Sequence, residues 1–323
     1  MVISLLNGMK IWRTFLKNEG GMVINIKKVK RYPLEKRESK VSINMLVTPD
    51  KKNLIKCMPD VLAGKNFKEV VKRIISAKKN KKPVIFMFGA HVIKCGLSRI
   101  VIDLMKKNVI TAVSTNGASI IHDFELAYTG KTSEDVAIQL KKGEFGMSLE
   151  TGKYINGAVK EGAKRNLGLG ETIGNMINNK KLKFHRDSIF ANAYNLKIPA
   201  TVHAGIGTDI IYQHPECDGA SWGKTSYNDF IKLTDIITKL EGGVVLNFGS
   251  AVILPEVFLK SLNLARNLGH KVNNFTACNF DMNYQYRAAE NIVSRPTGGS
   301  GFYFIGHHEI MLPLLYHSLL TFL

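Results

Sequence analysis

What this chain lacks narrows its reading first. No apolar run reaches the roughly 18 residues needed to cross a bilayer, so no membrane partner is expected. Cysteine is scarce: Cys57, Cys95, Cys217 and Cys278 stand far apart, with no CxxC pair. That usage excludes a local zinc knot and fits buried thiols in a reducing, cytoplasmic setting. HxH and HExxH are absent, so His203, His214, His307 and His308 are not expected to hold a metal. Also missing are a GxSxG elbow, a Cys/His nucleophile pair, a GxGxxG fingerprint and any internal repeat. The opening MVISLLNGMKIWRTFLKNEGG has too short an apolar stretch, and no small-residue cleavage site, for a secretory signal.

What is present begins with charge. The formal net charge is +19, and residues 1–82 carry 21 Lys/Arg against 6 Asp/Glu. The other 241 residues are close to balance, at 24 against 20. A basic leading segment of this kind attracts acidic partners without specifying one. KKVKRYPLEKRESK lacks the interleaved aromatics of a single-strand binder, so nucleic acid is not the expected partner. Residues 1–39 therefore read as a basic N-terminal extension, with 1–21 either an over-extended start ahead of Met22 or a short amphipathic lead-in. Residues 40–323 read as a single domain.

From residue 83 short apolar runs end in glycine or polar residues and lead into helical stretches. PVIFMFGAH (83–91), VITAVSTNGAS (109–119), IPATVHA (198–204), Val244–Asn247, Val272–Ala277 and FYFIG (302–306) read as strands. Unbroken apolar strands alternating with helices predict an α/β, Rossmann-like fold with a mainly parallel sheet and helices on both faces. The polar middle, 131–195, reads as a helical insertion. In 255–268, Phe258, Leu262, Ala265 and Leu268 share one face at helical spacing.

In such a sheet, ligands bind beyond the carboxyl ends of the strands. Five loops stand there: GAHVIKCG (89–96), STNGAS (114–119), HAGIGTDII (203–211), FGSA (248–251) and TACNFD (276–281). Small residues dominate all five and allow backbone N–H groups close to a phosphate or ribose. Asp209 and Asp281 each follow a strand, where a carboxylate accepts from a ribose hydroxyl, pairs with an amine, or caps a helix.

Taken in order, these segments resemble the deoxyhypusine synthase family over about residues 40–321. TNGASIIHD, IPATVHAGIGTDII, LNFGSAVILPE, TACNFD and the final HEIMLPLLYHSLL carry the likeness. The resemblance implies a cytoplasmic, homotetrameric NAD-dependent transferase with sites between paired subunits. Its members act on spermidine or a related polyamine through an imine on a lysine. It places His91, Thr115, Asn116, Gly117, Asp209, Gly249, Ser250, Thr276, Ala277 and Asp281 around NAD.

The polyamine half departs from the family pattern. VSRPT stands where the family has roughly VSWGK, so Arg295 replaces the tryptophan and Thr297 the imine-forming lysine. Glu256 stands at a histidine position, Tyr284 and Asn291 at acids, and His307 at an acid beside the cofactor. Threonine forms no imine, so Asp209, Glu256 or His307 would have to orient or deprotonate the amine. Lys224, in SWGKTSY, is the substitute lysine if a covalent imine forms. The expected function is an NAD-dependent aminoalkyl transferase or dehydrogenase acting on an amine; the alternative is a non-catalytic NAD-binding homologue.

Overall fold

Runs of Val, Ile, Phe and Met with no polar alternation become strands buried on both faces. In a computed structural model, which describes residues 54–323 together with Lys30 and Pro33, six strands realise this. They are β1 (Val84–Phe88), β2 (Ala112–Asn116), β3 (Ala200–His203), β4 (Val244–Phe248), β5 (Thr276–Asp281) and β6 (Phe302–Ile305). Every neighbouring pair is parallel, and the order is β3-β2-β1-β4-β5-β6. The two halves meet where β1 pairs with β4, Val84 opposite Val244. This is the doubly wound α/β fold, and its order reverses at the β1–β4 seam. Residues 54–323 fall within one compact unit, Met45–Leu323. Apart from Lys30 and Pro33, the basic extension 1–39 lies outside the described residues.

The helices follow in chain order: α1 (Leu62–Lys79), α2 (His91–Lys94), α3 (Ser98–Lys106), α4 (Gly117–Thr129), α5 (Val136–Lys142) and α6 (Leu149–Lys164). Then come α7 (Leu169–Asn179), α8 (Ile189–Asn195), α9 (Gly219–Thr238), α10 (Ile253–Asn267), α11 (Tyr286–Ala288) and α12 (His308–Leu320). They cover both faces of the sheet. Phe86, Phe88, Val113, Leu246 and Phe280 pack with Phe67, Val71 and Ile74 of α1 and with residues of α3, α4 and α6–α8. On the other face Ile85, Met87, Val245 and Ala277 meet Leu233 and Ile237 of α9 and Leu254, Phe258 and Leu262 of α10. Residues 131–195 are helical as expected, contributing α5–α8 to a long crossover between β2 and β3.

Two buried carboxylates fasten that insertion. Asp123, on α4, accepts from the Ser188 hydroxyl (2.5 Å) and the Ile189 N–H (2.8 Å), closing the start of α8. Asp229, on α9, accepts from Gly170 N–H in the first turn of α7 and from Val202 N–H on β3, both at 2.8 Å. The first is an orphan donor of a helix N-terminus. The second is an outward N–H of an edge strand, which a side chain here occupies in place of a seventh strand.

Three expectations are corrected. The fifth strand is Thr276–Asp281 rather than Val272–Ala277, so TACNFD is a strand and not a loop. Asn273 and Asn274 instead donate their N–H groups to Glu241 at 2.6 and 3.0 Å, holding a turn before the sheet. Leu268 lies beyond the end of α10 and is 63% exposed, off the buried face of Phe258, Leu262 and Ala265. Of the four thiols only Cys278 is fully buried.

Candidate active site

In sheets of this kind the ligand crevice lies beyond the carboxyl ends at the switch point, here the β1–β4 seam, and close backbone approach shapes that seam. A Cβ on Gly89 would meet the Gly249 carbonyl oxygen at 2.7 Å. Gly249 itself has φ +69°, and a Cβ there would sit 2.3 Å from His308 Nε2. Side chains are thus barred from these two positions, where backbone and the His308 ring already pack closely. Gly249→Ala is expected to cost about 1–3 kcal/mol from the left-handed backbone and the clash together. Thermal melting of the variant measures that loss. Unchanged melting would mean the seam has slack.

Next to the seam, β2 ends at Asn116, whose side chain accepts from Ser119 N–H at 3.3 Å and caps α4. Gly117 then opens α4 against Asp209, whose Oδ2 lies 2.2 Å from where a Gly117 Cβ would be. Among the described residues, that oxygen is buried without a hydrogen-bond partner. Asp209 precedes a short 3-10 turn, Ile210–Gln213, but its side chain makes no capping bond, so the capping role is not filled. Burial pushes its carboxyl up to about 6.

Beyond Asp209 lies a cavity of about 500 Å³, roofed by the insertion and lined by residues including Lys94, His122, Glu125, Lys131, Glu134 and Asp209. His122 Nδ1 is 2.7 Å from the Thr132 hydroxyl, which lies 2.5 Å from Glu125 Oε2. Glu134 accepts from Gly146 N–H at 2.8 Å. Burial lowers the His122 ring to about 4, so it is neutral at physiological pH, and burial raises the Glu125 carboxyl. The wall therefore offers three carboxylates and two lysines around one half-open cavity. A second cavity of about 620 Å³, bounded by Lys197–Ala200, opens at the start of β3, the opposite end of the strand from the crevice.

The expected site residues divide accordingly. His91, Gly117, Asp209, Gly249, Asp281 and His307 stand at or just beyond the carboxyl ends of strands. Asp281 is buried and accepts from Asn283 N–H at 3.2 Å. His307 precedes α12 with its side chain 63% exposed. Thr115 and Ser250 are present but engaged: Thr115 Oγ1 lies 2.6 Å from the Phe88 carbonyl, and Ser250 Oγ accepts from Leu254 N–H at 3.2 Å. Thr276 and Ala277 are not brought to the crevice, because they begin β5 and pair with Val244 and Val245 at the far end of the sheet.

Glu256 sits in the first turn of α10, bound to Lys260, to Arg287 Nη1 at 2.8 Å and to Asn291 Nδ2 at 2.8 Å. Hydrogen bonds from Lys260 and Arg287 hold its carboxyl below the usual range, which makes it a poor proton acceptor. Arg295 is shielded by Glu290 at 3.4 Å. Thr297 donates to the Val293 carbonyl in the turn that leads into β6, and Lys224 lies on the exposed face of α9. His203 and His214 are satisfied interior residues: His203 Nε2 is 3.1 Å from Ser114 Oγ, and His214 Nε2 is 2.8 Å from the Gly146 carbonyl.

Reasoning from sequence missed the cavity lining of Lys94, His122, Glu125, Lys131 and Glu134. It also missed a donor set at the rim, His91, Cys95 and Glu309, whose ligand atoms all lie within 4.8 Å of one another. Two of these residues are 214 positions apart, so no local motif announces them.

No family model and no curated protein matches the chain. Solved structures share the fold. A conserved candidate LOR/SDH protein from Methanococcus maripaludis S2 is 14% identical, covering 88% of this chain and 75% of its own, with a TM-score of 0.56. The ternary complex of AgrE with ornithine and NAD+ is 14% identical over 80% of this chain, with a TM-score of 0.53. This chain spans 33% of AgrE's length. A candidate deoxyhypusine synthase from Entamoeba histolytica is 10% identical, covering 80% of this chain and 88% of its own, with a TM-score of 0.50. Likeness at this identity establishes the fold.

Proposed function

We propose that this chain is an NAD-dependent enzyme related to the deoxyhypusine synthases, oxidising an amine-bearing substrate without a covalent lysine. The carrying observation is Asp209: a carboxylate with one buried oxygen unpartnered among the described residues, set against Gly117 and lining the mixed-charge cavity. Such an oxygen is open to a donor from outside the chain. The fold shared with a structure described as holding NAD+ and ornithine, and with a candidate deoxyhypusine synthase, supports the same reading.

The crevice fits a dinucleotide through Gly89 and Gly249, with Asn116, Gly117 and Asp281 beside it. When bound, NAD supplies the acceptor for a hydride from the carbon next to nitrogen. Asp209 takes the amine proton, a task suited to a carboxyl near 6. Glu125 and Glu134 hold a distal ammonium, and Lys94 and Lys131 balance them or bind a carboxylate on the same substrate. Thr297 takes no part, because a hydroxyl committed to the Val293 carbonyl neither forms an imine nor accepts a proton readily. A homotetramer with shared sites remains part of the proposal.

The test is NADH formation with a panel of polyamines, agmatine and basic amino acids. Reduction with any of them supports the enzyme. Tight NAD binding without turnover on the whole panel would favour the non-catalytic homologue. Borohydride reduction during turnover with labelled amine should leave no label on the protein; a labelled peptide containing Lys224 would restore the covalent route.

A further inference from the structure

We infer that His91, Cys95 and Glu309 form a binding site for a divalent transition metal of the zinc class at the rim of the crevice. His91 and Cys95 are four residues apart, on one face at the start and just past the end of the single turn α2. Glu309 reaches them from the first turn of α12, its Oε2 3.7 Å from Cys95 Sγ. The three ligand atoms lie within 4.8 Å of one another. Zinc bonds of about 2.0–2.3 Å in tetrahedral array place donors roughly 3.3–3.8 Å apart, so closing on an ion takes shifts of about 1 Å.

The chemistry of the set favours zinc or cobalt over a hard cation. One imidazole, one thiol and one carboxylate are the borderline donors such ions select, whereas calcium and magnesium demand oxygen. Surrounding groups give the ligands orientation. The other oxygen of Glu309 lies 3.7 Å from His307 Nδ1, and the His91 ring packs edge-on against the buried His308 ring at 5.8 Å. Such outer contacts are the usual means of aiming ligand carboxylates and rings. Cys95 is only partly buried and Glu309 is half exposed, so an ion has a way in. Three protein ligands leave a fourth position for water or a substrate atom, the arrangement of zinc sites that remain open. The inference stands apart from the dinucleotide reading, since binding of metal alone tests it.

The experiment titrates the full chain, stripped with chelator, with cobalt(II) and then zinc(II). The expected result is one equivalent of cobalt bound with a thiolate-to-cobalt charge-transfer band, displaced by zinc. Cys95→Ser should remove the band, and Glu309→Gln or His91→Ala should weaken binding at least tenfold. Cys217→Ser should leave both unchanged. Zinc should also slow iodoacetamide modification of Cys95 in the unaltered protein, read by peptide mass, which keeps the test valid if a variant misfolds. Equal modification rates with and without zinc, or a band that survives Cys95→Ser, would overturn the site.

Discussion

Asp209→Asn is expected to reduce amine oxidation by on the order of 10²–10⁴-fold while changing NAD affinity only a few-fold. The amide preserves shape against Gly117 but cannot accept a proton at neutral pH. The pH profile carries a second signature. Burial raises the Asp209 carboxyl to about 6, so the wild-type rate should climb as pH rises through about 6 and then level off. The variant should show no such limb. If Asp209→Asn retained both rate and limb, the proton acceptor would lie elsewhere, with Glu125 the next group to test.

The same substitution is expected to stabilise the fold. A carboxyl whose folded pKa is raised from 3.8 favours folding while protonated. Its contribution is complete below the unfolded pKa and is lost as pH rises toward about 6. At neutral pH the native protein therefore carries an ionised group that its fold disfavours. Stability yielded at a working residue is a common signature of a functional position. A higher melting temperature together with lost activity is the joint outcome to look for.

The largest effect on stability is expected at Asp229→Ala. Truncation leaves the Gly170 and Val202 N–H groups buried without an acceptor, each costing about 1–3 kcal/mol. Relief from burying the carboxyl offsets part of this, so a net loss of roughly 2–4 kcal/mol is expected. Urea unfolding followed by circular dichroism would measure it. Asp229→Asn keeps one acceptor for both donors and should lose much less.

Its pH dependence gives a separate check. Burial raises Asp229 from 3.8 to about 7, so the folded state holds a proton that the unfolded chain has released. Wild-type stability relative to Asp229→Asn should fall as pH rises from about 4 to about 7, by at most ~1.4 kcal/mol per pH unit. A gap independent of pH would mean the carboxylate is already ionised inside the fold.

How legible all this was depends on what each residue reports locally. β1 and β4 were readable because burial on both faces demands unbroken apolar letters, as in VIFMF and VVLNF. β5 was misplaced because it carries Asn279 and Asp281 inside the sheet. Asn279 is tolerated there only because Asn247 of β4 donates to it at 2.6 Å, a pairing invisible along the chain. Asp209 was readable from its place after a strand. Glu256 was read as a chemical group from its place in the family pattern, yet Lys260 and Arg287 neutralise it from outside that pattern. Asp229, in SYNDFIKL, has the look of a solvated helix residue; only the edge position of β3 gives it a task. The cavity came least of all from sequence, since its wall joins α4, the insertion and the turn after β3.

The β1–β4 seam also orders events during synthesis. Gly89 and Gly249 line the crevice together, and β1 gains its partner on that side only when Val244–Phe248 exists. A nascent chain that holds β1, β2, β3 and the insertion still lacks that pairing. On the proposed reading, a truncated product ending before β4 would compete for no NAD. On that reading binding competence arrives late, with about the last quarter of the chain.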